Sequence, residues 1–262
     1  MKFGASTACF YPMLTEESLK QVIDIGFERA EIFMNAPSEL EPLFINELNK
    51  IAQDSGTKII SVHPFSSFLE SSCIFGDYQR RYDDFIDVYK KTCHAAAMLG
   101  ARLIVIHGAV AQPKIPIPDE RYFERFYNLV QIGKAEGVMV CQENVNRFKS
   151  QSIDFCKKMR DALGDDFKMV FDVKQTVRAR QDTFEFLNEF KNDIVHLHIS
   201  DNNEYDDCLP IGMGSFDFKR LKSIMDGVDY QGDAVIEIYS KSYDVKDVLT
   251  KSKVYLDNLW QR

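Results

Sequence analysis

Leu103-Ile104-Val105-Ile106-His107-Gly108 is the stretch on which the reading of the fold turns. Four apolar residues follow one another with no polar alternation. A strand of that kind is buried on both faces, as in a parallel sheet covered by helices. Seven further segments of similar character flank it: Lys2–Ala5, Arg29–Met34, Lys58–His63, Val138–Glu143, Phe167–Asp172, Ile194–Ser200 and Ala234–Tyr239, with Arg102–His107 as the fourth of eight. Their starts lie 27 to 44 residues apart, the length of a strand plus a helix. Amphipathic segments fill the gaps. Glu16–Ile25 follows Thr15 as its N-cap, Asp83–Leu99 ends at Gly100, and Phe216–Met225 precedes the last strand.

Eight such units predict a closed (β/α)8 barrel, one domain over residues 1–262. A doubly wound open sheet is the alternative, but no Gly-x-Gly-x-x-Gly follows any strand. Two connections are long and fall on the C-terminal side of the strands, Pro64–Tyr82 and Gly108–Pro118. They are candidates for the walls or lid of a pocket. The aromatics of Phe65–Tyr78 are also a candidate homo-oligomer interface.

Composition narrows the function. The chain carries 32 basic and 40 acidic residues, a formal net charge of −8. That argues against a nucleic-acid partner, which selects a basic face. The longest apolar run, Leu103 to Ala111, is interrupted by His107 and falls far short of the ~20 residues of a membrane helix. The first residues lack the apolar core of a signal peptide. Six cysteines with no Cys-x-x-Cys pair read as reduced thiols of a cytoplasmic protein.

The polar residues fall at strand ends. The third strand ends in His63 and the fourth in His107. The fifth ends Gln142-Glu143-Asn144 and the sixth in Asp172. The seventh contains His196 and His198, and the eighth Glu237. In a parallel barrel these ends share one mouth. Burying so many ionisable groups together is costly unless they share a cation or a hydrogen-bond network. Glu143, Asp172, His198 and Glu237 offer three carboxylates and one imidazole, a set suited to Mn²⁺, Mg²⁺ or Co²⁺ and open to Zn²⁺. His196 is read as a structural histidine facing the helical layer, and His94 as helix packing.

These segments resemble the sugar phosphate isomerase/epimerase superfamily, the xylose isomerase-like TIM barrels that include the endonuclease IV enzymes. The resemblance covers essentially the whole chain. It rests on Gly26-Phe27-Glu28-Arg29-Ala30-Glu31, Glu143-Asn144, Phe171-Asp172, His198-Ile199-Ser200-Asp201, Leu209-Pro210-Ile211-Gly212-Met213-Gly214 with Asp217, and Ile236-Glu237, in that order. It implies one divalent ion, with Mn²⁺ first among the candidates, on Glu143, Asp172, His198 and Glu237. It also implies Glu143 and Glu237 as the proton carriers. His63, His107, Lys174 and Gln175 would line the substrate pocket, with Lys174 or Arg147 holding an anionic group. Two positions depart from the pattern. Gln175 stands where many epimerases have a substrate-binding His and the nuclease branch a zinc ligand. Asp206-Asp207-Cys208 stands where that branch has Asp-x-His.

The expected activity is therefore a metal-dependent sugar or sugar phosphate isomerase or epimerase. It would act by proton transfer next to a carbonyl through a metal-stabilised enediolate. The rivals are a dehydratase or lyase on a polyol such as an inositol derivative, an endonuclease IV-like phosphodiesterase, and a non-catalytic sugar-binding barrel. The partner expected is a small carbohydrate, with neither nucleic acid nor membrane.

Overall fold

In the computed structural model eight parallel strands close in chain order: β1 (Lys2–Ser6), β2 (Arg29–Phe33), β3 (Lys58–His63), β4 (Leu103–Ile106), β5 (Met139–Glu143), β6 (Met169–Asp172), β7 (Ile194–Ile199) and β8 (Asp233–Ile236), with β8 pairing back to β1. Residues 1–239 and 243–260 are described, so the last positions of the expected 1–262 span lie outside them. Every expected strand is present, with ends displaced by no more than three residues. The covering helices are α1 (Thr15–Asp24), α2 (Pro42–Ser55), α3 (Glu70–Cys73), α4 (Gln79–Met98), α5 (Asp119–Ala135), α6 (Ile153–Leu163), α7 (Val173–Arg178), α8 (Thr183–Phe190), α9 (Phe218–Asp226) and α10 (Val245–Trp260). None of the described helices is long and apolar enough to cross a membrane.

The helix boundaries follow local chemistry. Thr15 is the first residue of α1 and not its cap; Leu14 holds the cap position without a side-chain bond, and the Thr15 hydroxyl donates to Glu39 instead. α4 begins four residues earlier than expected, at Gln79, and Gly100 beyond its end has φ 70°, the left-handed geometry that favours glycine. α9 is capped by Asp217, which accepts from the Arg220 N–H at 2.9 Å.

The main core lies between strands and helices, as the unalternating strands require. β4 contributes Ile104 and Ile106 to it. Leu103 and Val105 point the other way, into the barrel, where they meet Cys141 and Val170 in a separate apolar cluster. Polar side chains share the interior with them: Glu31, Ser61 and His196 are all buried there. This corrects the reading of His196. Side chains repeat every two residues along a strand, so His196 shares the inward face of His198. His94 is likewise not packed: it is exposed, 3.1 Å from Glu136.

Candidate metal centre and substrate pocket

The carboxylates come to one place because the strand ends do. Glu143 closes β5, Asp172 closes β6, His198 lies near the end of β7, and Glu237 follows β8. One ligand atom from each lies within 4.8 Å of the others, and all four residues are buried. Asn144 locks two of these ends together. Its carbonyl oxygen accepts from the Asp172 N–H at 2.7 Å, and its amide donates to the Asp172 carbonyl at 3.0 Å. The side chain thus continues the ladder one step beyond the strands.

His198 is held from behind. Its Nε2 lies 3.0 Å from Glu31 Oε2, and the same carboxylate oxygen accepts from the Ser61 hydroxyl at 2.8 Å. Its Nδ1 then points at Glu143 (3.4 Å), Glu237 (3.4 Å) and Asp172 (3.9 Å), yet finds no hydrogen-bond partner among the described residues. Buried polar atoms are seldom left orphaned. An imidazole nitrogen facing three carboxylate side chains, with its other nitrogen on a fourth, is the arrangement of a metal-ligating histidine with its outer carboxylate. The donor set fits one divalent ion.

A cation of the chain itself already reaches this place. The Lys174 ammonium bonds to both Asp172 and Glu237 and is fully buried. Burial would depress its pKa, but the two carboxylates hold it well above the ordinary value. Burial raises the Glu237 carboxyl, and Lys174 with His198 more than reverses this, to about 2. Asp172 is pushed up to about 7 by burial, with Lys174 opposing and Glu143 and Glu237 adding to the rise. An anionic substrate group would meet Lys174 already neutralised. Arg147 is further off, lining a separate cleft with Arg178 and Arg180.

His63 and His107 form a second group with Glu143. His107 Nε2 lies 2.9 Å from Glu143 Oε2 and 3.0 Å from His63 Nε2, while His63 stands 3.8 Å from the same oxygen. These three donors also satisfy the spacing of a cation site. Gln175 lies in the first turn of α7. Its carbonyl oxygen accepts from the Asn146 N–H at 3.0 Å, and its amide nitrogen has no partner among the described residues. Both histidines, Glu143, Glu237, Lys174 and Gln175 line a cavity of about 430 Å³ at the barrel mouth. Its other walls are mostly apolar: Tyr11, Phe33, Met34, Phe65 and Phe68. The long connection after β3 is thus pocket wall through Phe65 and Phe68, whereas Phe75 is buried against Tyr122.

Two buried acids escaped the sequence reading as site residues. Glu31 was visible only as a motif letter. Glu70, in α3, accepts from the Gly108 N–H at 2.7 Å and so anchors the turn after His107; burial raises its carboxyl to about 7. Asp201, beside the metal segment in sequence, serves the loop that follows. It accepts from the Gly212, Gly214 and Phe216 N–H groups. A Cβ on Gly214 would come within 2.4 Å of the Asn202 carbonyl and the Asp201 carboxylate, so that motif glycine is required sterically.

Residues 19–258 match the model of the xylose isomerase-like TIM barrel. The chain belongs to that family. Its relatives are distant. An uncharacterised protein of Methanocaldococcus jannaschii is 23% identical over 99% of this chain and 89% of its own. The 3-dehydro-D-guloside 4-epimerase of Escherichia coli is 22% identical, over 98% of this chain and 99% of its own. Solved structures of similar shape include a D-tagatose 3-epimerase-like protein (TM-score 0.79, 22% identity, 100% and 97% of the two chains). An IolI protein with a bound zinc atom superposes with TM-score 0.78 at 15% identity, covering 99% and 98% of the two chains. At these identities the likeness carries the family fold.

Within the family fold, the hold of Glu31 on His198 gives a direct expectation. Glu31→Gln keeps the shape but loses the anionic acceptor. Outer-shell changes of this kind lower metal affinity about 10–100-fold. A Mn²⁺ titration followed by calorimetry measures this, and unchanged affinity would mean that His198 is oriented by its packing alone.

Proposed function

We propose that the protein is a divalent-metal-dependent sugar isomerase or epimerase, acting by proton transfer at a carbon next to a carbonyl. The observation that carries this is the orphaned His198 Nδ1 among Glu143, Asp172 and Glu237, with Glu31 behind it. The family fold, and sugar epimerases among its similar members, support the same reading. Mn²⁺ is the ion of choice for three carboxylates and one imidazole, with Mg²⁺, Co²⁺ and Zn²⁺ as competitors.

When bound, the ion would supply Lewis-acid polarisation of the substrate carbonyl. The chain's own residues do the rest. Glu143 and Glu237 both border the pocket. One carboxylate takes the proton from the carbon beside the carbonyl, and the other, first protonated from solvent, delivers a proton to the opposite face, which inverts that carbon; the pair resets by returning the first proton to solvent. Delivery to the neighbouring carbon instead isomerises the sugar. His107 Nε2, next to Glu143 Oε2, can share the proton that Glu143 receives. The apolar walls exclude water from the reacting carbon, and Gln175 offers its free amide to a hydroxyl. With Lys174 engaged by two carboxylates, the pocket favours an uncharged sugar over a phosphorylated one. The six unpaired cysteines suit a cytoplasmic setting.

Metal analysis of the protein as purified, followed by a screen of ketoses for solvent-deuterium incorporation, tests the proposal. Absence of any bound divalent ion, or of exchange into any sugar, would overturn it. A dehydratase acting on a polyol would use the same proton-removing carboxylate and release water, so product analysis separates the two. A second reading rests on the His63–His107–Glu143 group, which would add a second ion sharing Glu143. A two-ion site would suit phosphodiester hydrolysis, by stabilising the attacking and leaving oxygens. Two or more metals per chain, with chelator-sensitive cleavage of abasic DNA, would favour it. Gln175 gives a further test of the sugar reading. Gln175→Ala should lose about 1–3 kcal/mol of transition-state binding with metal content intact, as kcat/KM reads directly.

A further inference from the structure

At the end of the barrel opposite the carboxylates lies a second cavity, of about 610 Å³. Five consecutive strands open onto it at their N-terminal ends. They bring Lys2, Arg29, Lys58 and Arg102 together, with Asp233 the one acidic side chain lining the cavity among the described residues. Four cations against one carboxylate is an unexpected balance in a chain of net charge −8.

The cations are incompletely used. Arg29 Nε stands 3.5 Å and Arg102 NH1 3.8 Å from opposite oxygens of Asp233, both looser than a charge-assisted hydrogen bond. Lys2 and Lys58 have no side-chain partner among the described residues. Arg29 and Lys58 are register partners on adjacent strands, which sets two like charges side by side. Such pairs are unfavourable in a sheet. Asp233 braces the two guanidinium groups from one side, and its own carbonyl accepts from the Tyr230 hydroxyl at 2.9 Å. Gln53 and Asn49 add neutral polar groups to the wall.

We propose that this cavity binds a small multivalent anion bearing phosphate groups, at a site separate from the sugar pocket. Guanidinium forks match phosphate oxygens two at a time, and the ammonium groups supply charge without geometric demand. The cavity has the size of a small-molecule site, about 300–1,000 Å³. It would relieve the Arg29–Lys58 repulsion when filled. Its place at the far end of the strands makes the ligand an effector and not a substrate.

The test is calorimetric titration of the metal-loaded protein with pyrophosphate, against sodium chloride at matched ionic strength, beside the double variant Lys58→Glu, Arg102→Glu. Chelation of the metal, or binding at the mouth, would be common to both proteins, so the difference isolates this cavity. The expected result is saturable one-site binding that weakens at least tenfold in the double variant, with metal content and circular dichroism unchanged. Should that variant fail to fold, Lys58→Ala alone should still weaken binding severalfold. No saturable binding, equal binding by wild type and variants, or binding confined to long polyanions such as heparin would overturn the proposal.

Discussion

Glu237→Gln protein, saturated with Mn²⁺, is expected to turn over about 10²–10⁴-fold more slowly than wild type, and Glu143→Gln the same. The amide keeps the shape and one coordinating oxygen but removes the base. Metal affinity should fall moderately, because an anionic ligand becomes neutral, yet excess Mn²⁺ should still fill the site. Activity should not return when it does. In an epimerase the two variants should also differ from each other. Under the proposed mechanism each carboxylate serves one face of the reacting carbon, so each variant should lose solvent-deuterium exchange into a different epimer. Measuring exchange separately from the two pure epimers reads this out. If both variants regain near wild-type turnover at saturating metal, the glutamates only hold the ion, and the proton chemistry moves to His63, His107 or Lys174.

The second large effect concerns Lys174. Its ammonium is buried against Asp172 and Glu237. Lys174→Met should leave those carboxylates without their internal counter-cation. Removing one partner of a buried charge pair costs about 3–5 kcal/mol. In a protein of this size that is a fall of roughly 6–20 °C in the Tm of chelator-treated protein. Added Mn²⁺ should then stabilise the variant more than it stabilises wild type, and should bind it more tightly, because no lysine competes for the same oxygens. Thermal unfolding with and without Mn²⁺ gives both quantities without any substrate. Equal metal-free stability of the two proteins would show that the lysine is not compensating the cluster. Weaker Mn²⁺ binding by the variant would show that it supports the ion and does not compete with it.

The parts of this fold that were legible in the sequence are those where one residue type has one explanation. Leu103-Ile104-Val105-Ile106 has no polar face, so it had to be a strand covered on both sides, and its seven counterparts fixed the barrel. Glu143, Asp172, His198 and Glu237 stand at strand ends, and parallel strands bring such ends together. Illegible were groups whose role depends on distance across the barrel. Glu31 lies 167 positions from the histidine it holds. Glu70 sits in a connection with no periodic pattern to mark its burial. Lys174 follows Asp172 by two residues and does line the pocket, but nothing in the sequence marks its ammonium as already paired with Asp172 and Glu237. The chain turns into α7 there, with Asp172 capping the Lys174 N–H at 2.8 Å, and the side chain folds back onto its own cap. His196 shares the inward face of His198 by the two-residue period of a strand, as its contacts with Ser61 and Glu31 show.

The polar interior has a consequence for how this protein can change. In most barrels of this type the interior is layered with branched apolar side chains, and catalytic groups at the rim vary above it. Here Glu31, Ser61 and His196 occupy part of that interior; Glu31 bonds His198 at the rim, and Ser61 and His196 meet Glu31. The side chains that fill this level are therefore also the ones that hold His198, the candidate metal ligand. Selection for a tougher protein that fills this level with valine or isoleucine would release the grip on His198, and lineages adapting to high temperature would have to find their added stability in the outer helical layer.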